Sequence, residues 1–347
     1  MPLEVSLGNL SSIGSILKKL IFSDDKSYVQ INYNDIVFQC QLGNNRLIVG
    51  TSEEVSEDCI LLIYDENDNT CKLFSFFYNK SKNECIEDNS IDNRKFKSSK
   101  QSLEDYNKKL NEKLLEFIDI INTAINIKLC SLNDLSKLQN IPECYYLNLY
   151  VFKHFERGYG FYNEFGYMYI PRDIDLQFIS SEEIIKFSNT IILELNKFRH
   201  SKFENLSEDI QKYKYLAEII ESIKSITSIT ISQLIKYIMS YCKNPKDTSH
   251  TNNLLYKLGS YKVLEIIDAL DRYLLNILKQ KTSFSNDDDM TYFKLYEYGK
   301  DQSYSISVST LVNKDSDEHR HFEMTPMKKY DLKLEKSNEH NFTLTIS

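Results

Sequence analysis

Residues 144–170 read CYYLNLYVFKHFERGYGFYNEFGYMYI. No other stretch is as dense in aromatics, and it holds Gly158, Gly160 and Gly166 in a chain with only 9 glycines. Tyr145–Phe152 is a near-continuous apolar run. It fits a buried strand, or a helix with Leu147, Tyr150, Val151 and His154 on one side, and its length does not arbitrate. Gly158 and Gly160 mark a turn or a close backbone approach. Gly166 marks the cap of a short helix over Phe161–Phe165, with a strand starting at Tyr167. The segment reads as a joint whose aromatics fill a core seam, burying apolar area worth about 25 cal/mol per Å².

Upstream of this joint the apolar period is two. Tyr28–Tyr33, Ile36–Leu42, Arg46–Gly50, Ile60–Tyr64 and Cys71–Tyr78 read as strands. Asn34-Asp35, Gly43-Asn44-Asn45 and Asp65–Asn69 supply hairpin turns between them. A helix is expected around Ile13–Phe22. Residues 79–101 are polar and read as a linker. From Leu103 through Tyr106, Leu110, Leu114, Phe117 and Ile121 to Ile125, apolar residues recur at helical spacing, with Ser102 as N-cap. A strand or loop passage over 127–142 leads to the joint.

Downstream the pattern is helical. Ser180 and Glu183 form a capping box. The first helix buries Ile184, Phe187, Ile191, Leu195 and Phe198. Others are expected over 208–224, 232–243 and 261–279, with Asn244-Pro245 stopping the third. After Asp287-Asp288-Asp289 the period returns to two, at Tyr292–Tyr298, Tyr304–Val312, Arg320–Met324, Tyr330–Leu334 and Phe342–Ile346. The expected fold is α+β, with antiparallel β-rich N- and C-terminal parts and a central helical bundle. Four segments are expected: 1–100, β-rich with a linker; 101–178, around the aromatic-glycine block; 179–283, the bundle; and 284–347, β-rich. The two β-rich ends could share one sheet.

Composition narrows function. The chain has 347 residues, a net charge of −8 and a hydrophobic fraction of 41%. Duplex-DNA binders need a basic face, which this balance does not suggest. Arg94, Lys95, Lys97 and Lys100 form a local basic cluster in a polar stretch, which reads as a solvated linker. The 7 cysteines form no CxxC pair, so reduced buried thiols are expected. There is no basic-then-apolar leader and no apolar run of membrane length. A cytoplasmic protein is expected, in a host cytoplasm or a virion.

Chemistry-bearing motifs are sparse. His319 and His321 stand at i and i+2 on one strand face, as two zinc ligands would, without an evident third. His154 and His200 are isolated. Asp173 and Asp175 follow Pro171 without an acid–base partner. No HExxH, GxSxG or GxxxxGK[ST] occurs. No cofactor or metal is therefore expected.

Two resemblances attach to the opening segment. Phe161-Tyr162-Asn163-Glu164-Phe165-Gly166-Tyr167 resembles the FYxxxGF pattern in the last helix and strand of GNAT acyltransferases. That resemblance implies Tyr162 as a general acid. The family's (Q/R)xxGx(G/A) pyrophosphate cradle has one counterpart, Arg157-Gly158-Tyr159-Gly160, which abuts the helix instead of preceding it. The layout of residues 125–280 also resembles uncharacterised proteins of nucleocytoplasmic large DNA viruses of the mimivirus kind. Their block G-x-x-W-Y-x-x-x-G-[FY] matches Gly158–Tyr167, with Phe161-Tyr162 at the Trp-Tyr position. The richness in Asn, Lys, Ile and Tyr, which follows AT-rich codons, agrees with that origin. The expectation is a non-enzymatic interaction or structural protein with an unknown protein partner and no membrane or nucleic-acid role. The alternatives are an acyltransferase acting through Tyr162 and a nucleic-acid accessory protein using Arg94–Lys109.

Overall fold

The computed structural model describes residues 10–34, 36–49, 60–76, 86–88, 100–134, 137–138, 147–169, 180–202, 230–243, 260–282, 290–299, 302–312 and 318–347. The chain divides into two compact units. One comprises Met1–Leu132, Phe293–Ile306 and Met324–Ser347, the other Asn133–Tyr292 and Ser307–Glu323.

The first unit begins with helix α1 (Leu10–Ile21). Strands β1 (Ser27–Tyr33), β2 (Ile36–Gly43), β3 (Arg46–Val49), β4 (Ile60–Asp65) and β5 (Thr70–Phe76) follow as an antiparallel meander. The turns form where Asn supplies positive φ: Asn34 at 52°, Asn44 at 54°, Asn45 at 61° and Asn69 at 51°. Burial alternates along β1, so Val29, Ile31 and Tyr33 face the core. Helix α2 (Lys100–Ala124) covers that core with Leu114, Phe117 and Ile121, and Phe117 stacks on Phe38 at 4.9 Å. The helix begins ahead of Ser102, the expected N-cap.

The antiparallel expectation is corrected in two places. Strand β7 (Leu129–Asp134) pairs parallel to β5, because α2 carries the chain back before it re-enters the sheet. Strand β15 (Asn341–Ile346) pairs parallel to β1, so the chain's two β-rich ends share one mixed sheet. No hairpin constrains partners so distant in sequence. Strand β14 (Leu332–Lys336) follows antiparallel to β15. The linker expected over 79–101 is also corrected. Strand β6 (Ile86–Asp88) pairs with β2 there, placing Ile86 opposite Phe38, and three residues are too few to show a period.

The second unit holds the short pair β8 (Lys137–Leu138) and β9 (Leu147–Asn148), helix α3 (Leu149–Arg157), a 3₁₀ turn (Tyr162–Phe165) and β10 (Met168–Tyr169). Helices α4 (Ser181–His200), α5 (Ile231–Lys243) and α6 (Ser260–Lys281) follow, and α3 packs against all three. Ser180 and Glu183 form the reciprocal capping box of α4. Thr230 and Gln233 form another at α5. The helix expected over 208–224 lies outside the described residues. Strands β11 (Met290–Tyr298), β12 (Ser303–Val312) and β13 (Glu318–Pro326) contribute residues to both units. In the second unit Asn189 of α4 pairs with Phe322 of β13 as a strand would, its amide donating to Phe322 O at 3.1 Å and its oxygen accepting from Phe322 N at 2.8 Å.

No helix among the described residues is long and apolar enough to cross a membrane. Cys40, Cys71 and Cys130 are buried free thiols, as expected of a reduced chain. Cys242 departs from that expectation: it is disulfide-bonded.

Candidate anion-binding cleft

The described part of the ambiguous run Tyr145–Phe152, from Leu147 on, takes both alternatives at once, with β9 ending where α3 begins. Helix α3 turns Tyr150, Val151, Phe152, His154 and Phe155 inward. It ends at Gly158, whose φ of 86° gives a left-handed cap and whose N–H donates to His154 O at 2.7 Å. Gly166 caps the 3₁₀ turn in the same way, at φ 81°.

Between the two caps lies a closed polar network. His154, Asn163, Tyr169 and Tyr292 are all fully buried. His154 Nδ1 lies 2.5 Å from Tyr150 O, which only accepts, so Nδ1 carries the proton. Its Nε2 then accepts from the Tyr292 hydroxyl at 3.2 Å. Burial lowers the His154 pKa to about 4, opposed by the Tyr150 carbonyl, so the ring is neutral at pH 7. Asn163 Oδ1 accepts from Gly160 N–H and the Tyr169 hydroxyl, each at 2.7 Å, while Nδ2 donates to Tyr167 O at 2.7 Å. A Cβ on Gly160 would stand 2.6 Å from the Tyr292 hydroxyl. The amides of Gly158 and Gly160 are thus both committed internally and do not present a pyrophosphate cradle.

Tyr162 is half-buried, with its ring against Phe161 at 5.2 Å, Tyr167 at 6.0 Å and Tyr292 at 6.0 Å. Burial, then the charge of Asp134, pushes its hydroxyl pKa up. A raised pKa weakens a general acid, so this environment works against the role the acyltransferase resemblance implies. His200 ends α4. His321 is half-buried on β13, while the side chain of His319 lies outside the described set. Among the described residues no three His, Cys, Asp or Glu side chains gather as metal ligands. Asp173, Asp175, Arg94, Lys95 and Lys97 lie outside the described residues.

The open chemistry of this unit lies at the C-terminal end of α3. A cleft of about 320 Å³ is lined by Glu156, Arg157 and Tyr159 from that end, Arg199 from the end of α4, Lys236 from α5, and Thr310 and Arg320 from β12 and β13. The Glu156 carbonyl holds the helix ends together, accepting from Arg199 Nη1 at 3.0 Å and from Ser232 Oγ at 2.8 Å. Arg320 lies over the Tyr159 ring, 5.2 Å from its centroid, and donates to the Thr310 hydroxyl. Lys153 neutralises the Glu156 carboxylate at 2.6 Å. Arg157 reaches that carboxylate only at 3.8 Å, and Glu164 at 3.6 Å. Lys236 makes no ion pair among the described residues. Among the described residues positive charge therefore exceeds negative charge in the cleft, which can hold an anion by charge-assisted hydrogen bonds.

Sequence inspection missed this site because its cations are scattered from 157 to 320. Arg320 itself directly precedes His321 on β13, so the two point to opposite strand faces. No protein-family model, curated protein or solved structure matches the chain.

Proposed function

We propose that this chain is a non-catalytic binding protein that takes an anionic group of its partner into the cleft at the end of α3. The observation that carries this reading is a contrast in charge. Four cationic side chains from four elements converge on one cleft, in a chain of net charge −8. An acidic chain gains solubility without such a focus, whereas a cleft of one sign raises the local concentration of its counter-charged ligand. We further read the helices of 179–283 as a central bundle, of which α4 and α5 line the cleft through Arg199 and Lys236. A cytoplasmic or virion protein of giant-virus origin is the setting we propose, supported by composition and by the layout around Gly158–Tyr167.

The test is thermal unfolding against a panel of inorganic phosphate, sulfate and citrate at millimolar concentrations. A bound anion at 100 times its Kd stabilises by about 2.7 kcal/mol. The shift should vanish in Arg157→Glu/Lys236→Glu and shrink with added NaCl. If no anion shifts the midpoint of the unaltered protein, the cleft has no anion-binding role. Acetyl-CoA in the same panel addresses the acyltransferase alternative: stabilisation lost in Tyr162→Phe would favour it.

A further inference from the structure

We infer that the cleft selects a phosphate monoester in its dianionic form, over a sulfate ester or a carboxylate; this rests on the anion-binding reading above. The cations surround a volume and do not form a stripe: Arg157 and Arg199 come from two helix ends, Lys236 from a third helix and Arg320 from a strand. A stripe tracks a polyanion backbone; a ring of donors from separate directions suits one compact group. Guanidinium forks pair with oxygens two at a time, and an ammonium adds a point charge. A planar carboxylate offers two oxygens in one plane and a single charge, which one fork already balances. A phosphate monoester offers three terminal oxygens and about two charges, so several of these cations engage it together. Glu156, the one carboxylate among the described lining residues, is held by Lys153 at 2.6 Å and leaves the surplus of these residues intact. Tyr159 and Thr310 complete the lining with a ring, which Arg320 steadies from above, and a hydroxyl.

The phosphate has two sources, a phosphorylated side chain of a partner protein or a free small metabolite, and the chemistry recognised is the same. The experiment is calorimetric titration of the full chain with phenyl phosphate, phenyl sulfate and benzoate, three ligands sharing one ring. At pH 7.5 phenyl phosphate should bind at least about tenfold tighter than phenyl sulfate, because it alone carries close to two charges. At pH 5, below the second phosphate pKa of about 6, that advantage should fall to near parity. Phenyl sulfate keeps one charge throughout and controls for any change in the protein. Lys236→Gln and Arg157→Gln, both on side chains that water reaches, should each weaken phenyl phosphate several-fold, while Lys186→Gln, at the far end of α4, should not.

Equal affinity for phosphate and sulfate esters at pH 7.5 would overturn the dianion inference and leave the anion-binding reading standing. Binding of none of the three would overturn both. A phosphoserine-containing peptide and adenosine monophosphate then separate the sources. The tighter of the two identifies whether the phosphate is protein-borne or free, and binding of the unphosphorylated peptide with equal affinity would overturn the inference.

Discussion

At the scale of the residue, Asn163 and Tyr162 are chain neighbours with opposite importance. Asn163 is fully buried and holds three 2.7 Å hydrogen bonds that join the turn to Gly160, Tyr167 and Tyr169 of β10. Truncating it leaves Gly160 N–H and the Tyr169 hydroxyl without that acceptor inside the core, and each orphaned buried group costs about 1–3 kcal/mol. Asn163→Ala should therefore destabilise the fold by about 2–4 kcal/mol, read from urea unfolding. Tyr162→Phe keeps the ring against Tyr167 and Tyr292 and should cost under about 1 kcal/mol, with anion binding unchanged. A larger loss of binding than of stability in Tyr162→Phe would return that hydroxyl to a functional role. The sequence pattern around these residues was partly legible. Gly158 and Gly166 were identifiable as caps because few other residues tolerate a φ near 86° or 81°. The value of Asn163 was not, since it depends on which backbone groups the fold leaves facing it.

At the scale of the element, legibility followed periodicity. The strands of the meander and the later half of α2 show their buried faces at two- and four-residue spacing, so they could be placed from sequence. The parallel partners of β5 and β1 could not, because strand order depends on where α2 returns the chain and not on any local pattern. Nor could the attachment of α2 to β11 within the first unit. Asp119 of α2 accepts from Lys294 Nζ at 2.5 Å and from the Tyr296 hydroxyl at 2.7 Å, and Lys294 is only 3% exposed. Removing one member of a buried pair strands the other, at a cost of about 3–5 kcal/mol. Asp119→Ala should approach that cost. The double variant Asp119→Ala/Lys294→Met should be less destabilised than Asp119→Ala alone, since no uncompensated ammonium remains. Additive losses in chemical unfolding would show that the pair is not coupled. The same dependence on assembly explains the cleft. Arg157, Arg199, Lys236 and Arg320 form no run in sequence, and only the meeting of α3, α4, α5 and β13 makes them one site.

At the scale of the whole molecule, stability against acid depends on groups held away from their ordinary protonation. His154 is the largest case, its pKa lowered to about 4 by burial. Released in the unfolded chain, an imidazole titrates near 6.5. Between these values the unfolded state binds a proton that the native state refuses, so the native state loses ground as pH falls. The contribution is intact above pH 6.5, declines by up to about 1.4 kcal/mol per pH unit below it, and levels off under pH 4. Glu116 adds a second decline at lower pH. Burial opposes its ionisation, but hydrogen bonds from Tyr330 and Tyr33 and the charge of Lys328 outweigh that and lower its pKa. That contribution is present above the ordinary carboxylate range and is lost as pH falls through the lowered value. Acid unfolding should thus begin with a slope set by one imidazole and steepen when the carboxylate joins. Urea midpoints between pH 7.5 and 4 measure the slope. Imidazole NMR signals identify its source, because the His154 ring should stay neutral down to about pH 5 in the folded protein. A His154 signal that titrates near 6.5 with the fold intact would mean that water reaches the ring and that the network around Asn163 is open.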